Sequence, residues 1–342
     1  MNINQAFDTL QKAADADPDQ VREARRRRDL FRDAFSTQDD VTEVVASGSL
    51  ARSTQREPLN DVDVIIVFSA AEHPDWGVDG GSAGAALDYL AAKITELLGN
   101  GSGLLANEVR LARPRNHSVK CWLDDPGDDD AFTVDAMPAL RQAGGELLVP
   151  EKQSERWIRT HPEYLIAVVR ERQTAWSGFR PLVRVLKLWN DRRGGGLMKS
   201  LVVEVLALEN LPEETSRARA LQRFFQAAVN AIDRPIEDPA ELCGEIQPDL
   251  DRNAARELLD GAASWSWKAV NAQDAGQTDQ ATCMWREVFG GDFPEPEDGC
   301  PLDGEDEESA GLFNIGVGAA AAAAAGRIGV DRPRPVTDAP QG

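Results

Sequence analysis

Gly48-Ser49-Leu-Ala-Arg-Ser-Thr54, then Asn60-Asp61-Val62-Asp63-Val64-Ile65-Ile66-Val67-Phe68, is the stretch on which the fold of this chain turns. Val62 and the run Val64 to Val67 predict a buried strand over 61–68. In a strand, residues i and i+2 point to the same face. Asp61 and Asp63 therefore project together from an otherwise apolar strand. Adjacent carboxylates repel, and the pair is costly unless a cation sits between them. Carboxylate oxygens are hard ligands that suit magnesium. A strand that opens with such a pair places it at the sheet edge near a cleft. Upstream, Gly48 lets backbone amides come close to a ligand. If Gly48-Ser49 opens a turn into a short helix, its N–H groups favour phosphate, and Ser49 adds a hydroxyl. Thr54 closes that helix or shapes the turn.

A site for a pair of metal ions needs a third carboxylate. Asp135, in Phe132-Thr-Val-Asp135-Ala-Met-Pro138, is a lone charge in an apolar strand and is the best candidate. Ions held about 3.5–4 Å apart would activate an attacking hydroxyl and stabilise a leaving pyrophosphate. Phosphoryl-type transfer needs mainly positioning and charge neutralisation, which carboxylates and a phosphate cradle supply. Asp-x-Asp alone is a weak signal. Gly-Ser, then Asp-x-Asp on an apolar strand, then a lone Asp in a later strand is far more specific.

Around this centre the chain reads as a helix-flanked mixed sheet followed by helices. Asp17-Pro18 predicts an N-cap and a first helical residue. The stripe Val21, Ala24, Leu30, Phe31, Ala34-Phe35 continues that helix. Arg25 to Arg28 is expected on its solvated face. A short β-rich stretch begins at Val41. Helical periodicity covers Ala85 to Leu98, and strands are expected at 108–112, 118–123 and 131–136. After Pro150 strand signals nearly vanish. Helices are expected from His161-Pro162, over 179–191, 199–210, 217–232, 254–271 and 277–289. The expected division is a catalytic domain over 1–150, a helical nucleotide-binding domain over 151–302, and an acidic, Ala/Gly-rich disordered tail over 303–342.

The chain has 342 residues and a net charge of −21, with 42% hydrophobic and 28% charged residues. That length allows more than one core. A protein that grips a long polyanion carries a basic face, so nucleic acid is not an expected partner. A nucleotide arriving with magnesium is more natural. Cys121, Cys243, Cys283 and Cys300 lack zinc-ligand spacing and are expected to be reduced structural residues in a cytoplasmic protein. No apolar segment suggests a signal peptide or a membrane span.

The Gly-Ser and Asp-x-Asp arrangement resembles the DNA-polymerase-β-like nucleotidyltransferase superfamily, an α+β fold with a mixed sheet flanked by helices and then a helical domain. In the second half, His161-Pro162, Phe179, Leu182 to Asn190, Lys199-Ser200, Glu204 and Phe289-Gly-Gly-Asp-Phe293-Pro294 resemble the oligoadenylate-synthase and CD-NTase branch. The resemblance spans roughly residues 20–295. It implies a nucleotidyltransferase that makes a cyclic oligonucleotide second messenger from NTPs, ATP among them, in antiphage (CBASS) defence. It also implies magnesium, with manganese as a substitute, held by Asp61, Asp63 and Asp135. Gly48, Ser49, Lys187 and Ser200 would bind nucleotide. Read from the residues alone, Lys187 is a cleft-wall cation or a snorkelling surface lysine. Ser200 is equally a helix N-cap. Arg184, one turn before Lys187, is a phosphate contact or an ion-pair partner. Relatives with a tyrosine after the serine stack it on the base. Leu201 stands there, so the base platform must differ, with Trp176, Trp189, Trp265 and Trp267 available.

Tails of some CD-NTases are conjugated through their last residue to a target, and others present a peptide to a regulatory protein. A terminal Gly342 is compatible with the former. Addition of nucleotides to RNA or another acceptor, and a catalytically silent antitoxin-like module, are the competing readings. The acidic balance weighs against RNA, and the intact carboxylate set weighs against the silent module.

Overall fold

A computed structural model of the chain describes residues 1–59, 61–99, 108–128, 130–214 and 216–300. The expected tail, with Gly342, lies outside the described residues. In chain order the elements are α1 (Ile3–Ala14), α2 (Pro18–Phe35), β1 (Val41–Ala46), α3 (Gly48–Arg52), β2 (Asp61–Phe68), α4 (Ser82–Leu98), β3 (Leu111–Pro114), β4 (Val119–Trp122), β5 (Thr133–Arg141), β6 (Leu147–Glu151), β7 (Arg156–Thr160), α5 (Pro162–Ala175), α6 (Phe179–Gly194), α7 (Ser200–Asn210), α8 (Arg217–Ala231), α9 (Arg252–Asp274) and α10 (Thr278–Phe289). The strands form one seven-stranded sheet in the order β1-β2-β5-β4-β3, with β6 paired to β5 and β7 to β6. β2 and β5 run parallel and the other pairs antiparallel. The sheet is therefore mixed, and a run of helices follows it.

β2 shows why the sheet must be covered on both sides. Val64, Ile66 and Phe68 pack with α2 and α4, through Leu30, Phe31, Ala34, Phe35, Leu87 and Ile94. Ile65 and Val67 enter a second cluster with Val45, Met137, Ala139, Leu147 and Val149. Alternation along the strand assigns Asp61 and Asp63 to the face of Ile65 and Val67. On that face the sheet passes from carboxylates at the strand start to apolar core.

Asp17 caps α2 as expected, accepting from the Asp19 and Gln20 amides, with Pro18 in the first turn. Arg27 departs from the solvated face expected for the arginine run. It is 7% exposed, ion-paired with Asp124 and Glu23, and donates to the Phe132 carbonyl. A helix face turned toward the β4–β5 loop can bury a guanidinium because carboxylates meet it there.

Three further features depart from the sequence reading. β6 and β7 form a hairpin that carries the sheet past Pro150 into the segment assigned to the helical domain, because Pro150 in β6 and Arg156 and Arg159 in β7 interrupt the strand signal. α1 carries an Asn2–Gln5 capping box and buries Ile3, Phe7 and Leu10 in the helical cluster. Phe7 meets Trp285 and Phe293 edge-on, each at 5.1 Å between centroids. Cys283 and Cys300 form a disulfide rather than standing reduced, with Cα atoms 5.5 Å apart. The fold brings together two cysteines separated by 17 positions, a proximity that spacing alone does not show. Cys121 and Cys243 take no part in that bond, and Cys243 Sγ donates to the Arg159 carbonyl. Among the described residues no helix is long and apolar enough to cross a membrane.

Candidate active site

Parallel pairing of β2 with β5 sets Asp63 directly beside Asp135, and Asp61 beside Thr133. Neighbouring strands lie about 4.8 Å apart, so the three carboxylates share one face within two register steps. On the far side of β5, Lys120 of β4 pairs with Asp135. The result is an acidic patch with one cation at its border.

The turn from β1 into α3 closes over this patch. Gly48 has φ +71°, and a Cβ there would stand 1.7 Å from Asp63 Oδ2. No residue with a side chain fits that place. Glycine at 48 allows both the left-handed backbone and the approach of the carboxylate to the turn. The Ser47 amide donates to the Asp63 carbonyl, which ties the turn to β2.

Ser49, Asp61, Lys187 and Ser200 line a common cavity of ≈ 160 Å³ with Thr54, Gln55, Arg56, Pro58 and Leu59. The structure thus brings together four of the expected site residues, with Gly48 and Asp63 at the adjoining turn and Asp135 one strand further. Asp61 keeps solvent exposure while protein atoms crowd it, as happens in a concavity. Loss of hydration pushes its carboxyl above the ordinary value, and Lys120 and Lys187 pull the other way.

A buried network forms the cavity's inner wall. Glu204 of α7, fully buried, accepts from Arg52 Nε at 2.7 Å, Thr54 Oγ1 at 2.9 Å and Lys187 Nζ at 2.6 Å. Lys187 also donates to the Thr54 carbonyl and hydroxyl, at 3.2 and 3.3 Å. Burial would raise the Glu204 carboxyl, but Arg52 and Lys187 overcome it and hold the group at about 2. Burial lowers Lys187, and Glu204 pulls it back up. The asymmetry has a simple origin: the carboxylate has two cations, whereas the ammonium shares its one anion with Arg52.

Lys187 is therefore a buried cavity-wall cation, not a snorkelling lysine. Ser200 occupies the first turn of α7, and Lys199 rather than Ser200 is the N-cap residue. Arg184 is an ion-pair partner: it donates to Asp15 at 2.7 Å and to the Ser53 carbonyl at 3.1 Å. Trp189 lies in the helical core, with Trp176 and Trp265 packed against it. Trp267 is exposed. None of these rings lines the cavity.

Arg52, Lys120 and the wall residues Gln55 and Arg56 went unremarked in the sequence. Lys120 left a usable signal, a lone cation in Val119-Lys-Cys-Trp122. Arg52 left none, because nothing local distinguishes a buried arginine from an exposed one.

A metal ion fits these residues with help from substrate. Among the described residues no three His, Cys, Asp or Glu side chains group closely enough to hold an ion by themselves. Magnesium commonly takes one or two carboxylates and completes its shell with phosphates and water. Asp63 and Asp135, side by side, meet that need. Asp61, destabilised in its charged form by desolvation, would be relieved by a nearby cation.

Against known proteins, the nucleotidyltransferase-domain family model matches residues 28–99, the segment holding the turn and both β2 aspartates. A cyclic AMP-AMP-GMP synthase from Enterobacter hormaechei subsp. hoffmannii (strain UCI 50) is 23% identical over 330 residues, covering 80% of this chain and 86% of that one. A cyclic AMP-AMP-AMP synthase from Escherichia coli (strain MS 115-1) is 27% identical over 284 residues, covering 73% and 83%. The solved structure of E. coli MS115-1 CdnC with ATP superposes with a TM-score of 0.66 at 18% identity, over 86% of this chain and 99% of that one. This last likeness is one of fold. The chain is a nucleotidyltransferase, similar over most of its length to cyclic-oligonucleotide synthases of the CD-NTase branch of the polymerase-β-like superfamily. Enzymes of this superfamily depend on a divalent metal.

Proposed function

We propose that this chain is a magnesium-dependent synthase that condenses NTPs, ATP among them, into a cyclic oligonucleotide acting in antiphage defence in the cytoplasm. The observation that carries the reading is the gathering of Ser49, Asp61, Lys187 and Ser200 around one cavity beside the Asp63–Asp135 pair. The names of two relatives that match most of the chain point to adenine-containing cyclic trinucleotides.

In this reading the Gly48-Ser49 turn and the Ser200 hydroxyl donate to the triphosphate. Lys187 meets it by exchanging one of its longer bonds to Thr54. An attacking ribose hydroxyl forms a bond to the α-phosphorus as its proton passes to solvent, the α–β bridging bond breaks, and pyrophosphate leaves. Asp61, Asp63 and Asp135 would hold magnesium, which when bound neutralises phosphate charge and acidifies the attacking hydroxyl. The remaining contribution of the chain is positioning.

The test is incubation of the purified protein with magnesium and four labelled NTPs, phosphatase treatment, and mass spectrometry. A phosphatase-resistant cyclic product, lost in the Asp61→Ala/Asp63→Ala variant, is expected. Linear products, or activity only on added RNA, would transfer the chain to the acceptor-extending enzymes.

A further inference from the structure

The acidic face of the sheet does not end at Asp135. Cross-strand register continues it as two rows. One runs Asp61, Thr133, Trp122, Leu111, and the other Asp63, Asp135, Lys120, Arg113. Residues directly opposite in a sheet share a face, so Trp122 and Arg113 look out on the same side as the aspartates. Three cations surround the indole. The guanidinium carbons of Arg113 and Arg115 lie 5.9 Å from its ring centroid, and Lys120 Nζ lies 5.8 Å from it.

This cluster is unusual in a chain with net charge −21. Nearly every other arginine of the sheet half lies against a carboxylate, as Arg26, Arg27, Arg141 and Arg159 do. Arg113 and Arg115 make no ion pair with any described residue, although carboxylates are abundant. Like charges gathered at one place repel, and that cost is removed when an anion joins them. An aromatic face beside unpaired guanidinium groups suits a ligand that is flat at one end and anionic at the other.

We propose that Trp122, with Arg113, Arg115 and Lys120, forms the platform for the second nucleotide, the one whose ribose hydroxyl attacks. Its base stacks on the indole and its phosphates meet the guanidinium groups. The proposal rests on the synthase reading above and adds a place to it. The triphosphate being cleaved belongs to the Ser49–Lys187–Ser200 cavity, at one end of the carboxylate row. Trp122 stands beyond β5 at the other end, with Asp135 on the strand between. A nucleotide there presents its hydroxyl to the carboxylates from the side opposite the first.

Calorimetric titration of the full chain with magnesium and a non-hydrolysable α,β-methylene ATP or GTP analogue tests it. Wild type is expected to bind two analogues per chain. Trp122→Ala should weaken one of them by roughly 5- to 100-fold, the range for loss of a base–aromatic stack, and leave the other unchanged. Trp122→Phe should restore most of the loss. Arg113→Ala, on an exposed edge position, should weaken the same event without touching the ring. Two unchanged binding events in Trp122→Ala, or a single event in wild type, would overturn the platform and leave the nucleotidyltransferase reading standing. No binding in wild type would remove both.

Discussion

At Gly48 a single hydrogen separates the backbone from Asp63, and the consequence is testable. Gly48→Ala places a methyl on a carboxylate and asks alanine for a positive φ, at 1.7 Å and +71°. Either the turn or Asp63 must move. Product formation is expected to fall by at least about 100-fold, the scale that follows when a reacting group is misplaced by about 1 Å. Circular dichroism should still report a folded chain. Activity close to wild type would mean that Asp63 tolerates displacement. Glu204 offers a second test, of stability. Its folded value of about 2 lies below its ordinary 4.5, so its contribution is complete above pH 4.5 and is lost as pH falls toward 2. The depression corresponds to about 3 kcal/mol. Glu204→Gln should lower the unfolding free energy by about that amount at pH 7, and the deficit should shrink by pH 3.5. Urea unfolding at the two pH values measures it. A deficit independent of pH would assign the loss to packing.

Between elements, the instructive pair is β2 with β5. Both strands are apolar along most of their length, and both begin with carboxylates on the face that leads into the cavity. Parallel register puts Asp63 against Asp135, and an offset of one residue would turn one of the two into the helix-covered core. The core positions of β2 thus set where the chemistry sits. At the other end of the chain, α10 is tied to the segment that follows it by Cys283–Cys300, closing a loop over 17 positions. Chain-entropy models assign about 3 kcal/mol to a loop of this size. Adding a reductant should lower the melting temperature by about 5–10 °C. A Cys283→Ala/Cys300→Ala variant should melt at one temperature with and without reductant. If the wild type is equally indifferent, the bond contributes nothing to the folded state.

Across the whole molecule, the cavity belongs to both halves. Ser49 and Asp61 come from the sheet half, and Lys187 and Ser200 from α6 and α7. The Arg52–Glu204 and Lys187–Thr54 contacts run between the halves beneath it. A ligand that fills the cavity should therefore stabilise the molecule as a unit. An ATP analogue with magnesium at about 100 times its dissociation constant should add about 2.7 kcal/mol, read as a rise in melting temperature. The analogue without magnesium should do much less, and the Asp61→Ala/Asp63→Ala variant should show no metal-dependent rise. An equal rise with and without the ion would remove the carboxylates from ligand binding.

Local pattern alone was enough for the strand at 61–68, the capped helix at 17–18, the paired aspartates, the glycine turn and the order of sheet before helices. Each is written within a few neighbouring residues, in alternation, periodicity or turn chemistry. The β6–β7 hairpin escaped because Pro150 interrupts β6 and Arg156 and Arg159 interrupt the apolar run of β7, whereas α1 carries a capping box and a helical stripe of Ile3, Phe7, Leu10 and Ala14 whose aromatic partners Trp285, Phe289 and Phe293 lie far along the chain. Only the tertiary structure decided that Arg27 is buried, that Lys187 leans on Glu204, that Cys283 meets Cys300, and that Trp122 shares a face with Asp61. Those outcomes depend on which distant segment lies opposite a side chain, and an arginine or tryptophan reads the same in sequence whether it meets a carboxylate, a core or water.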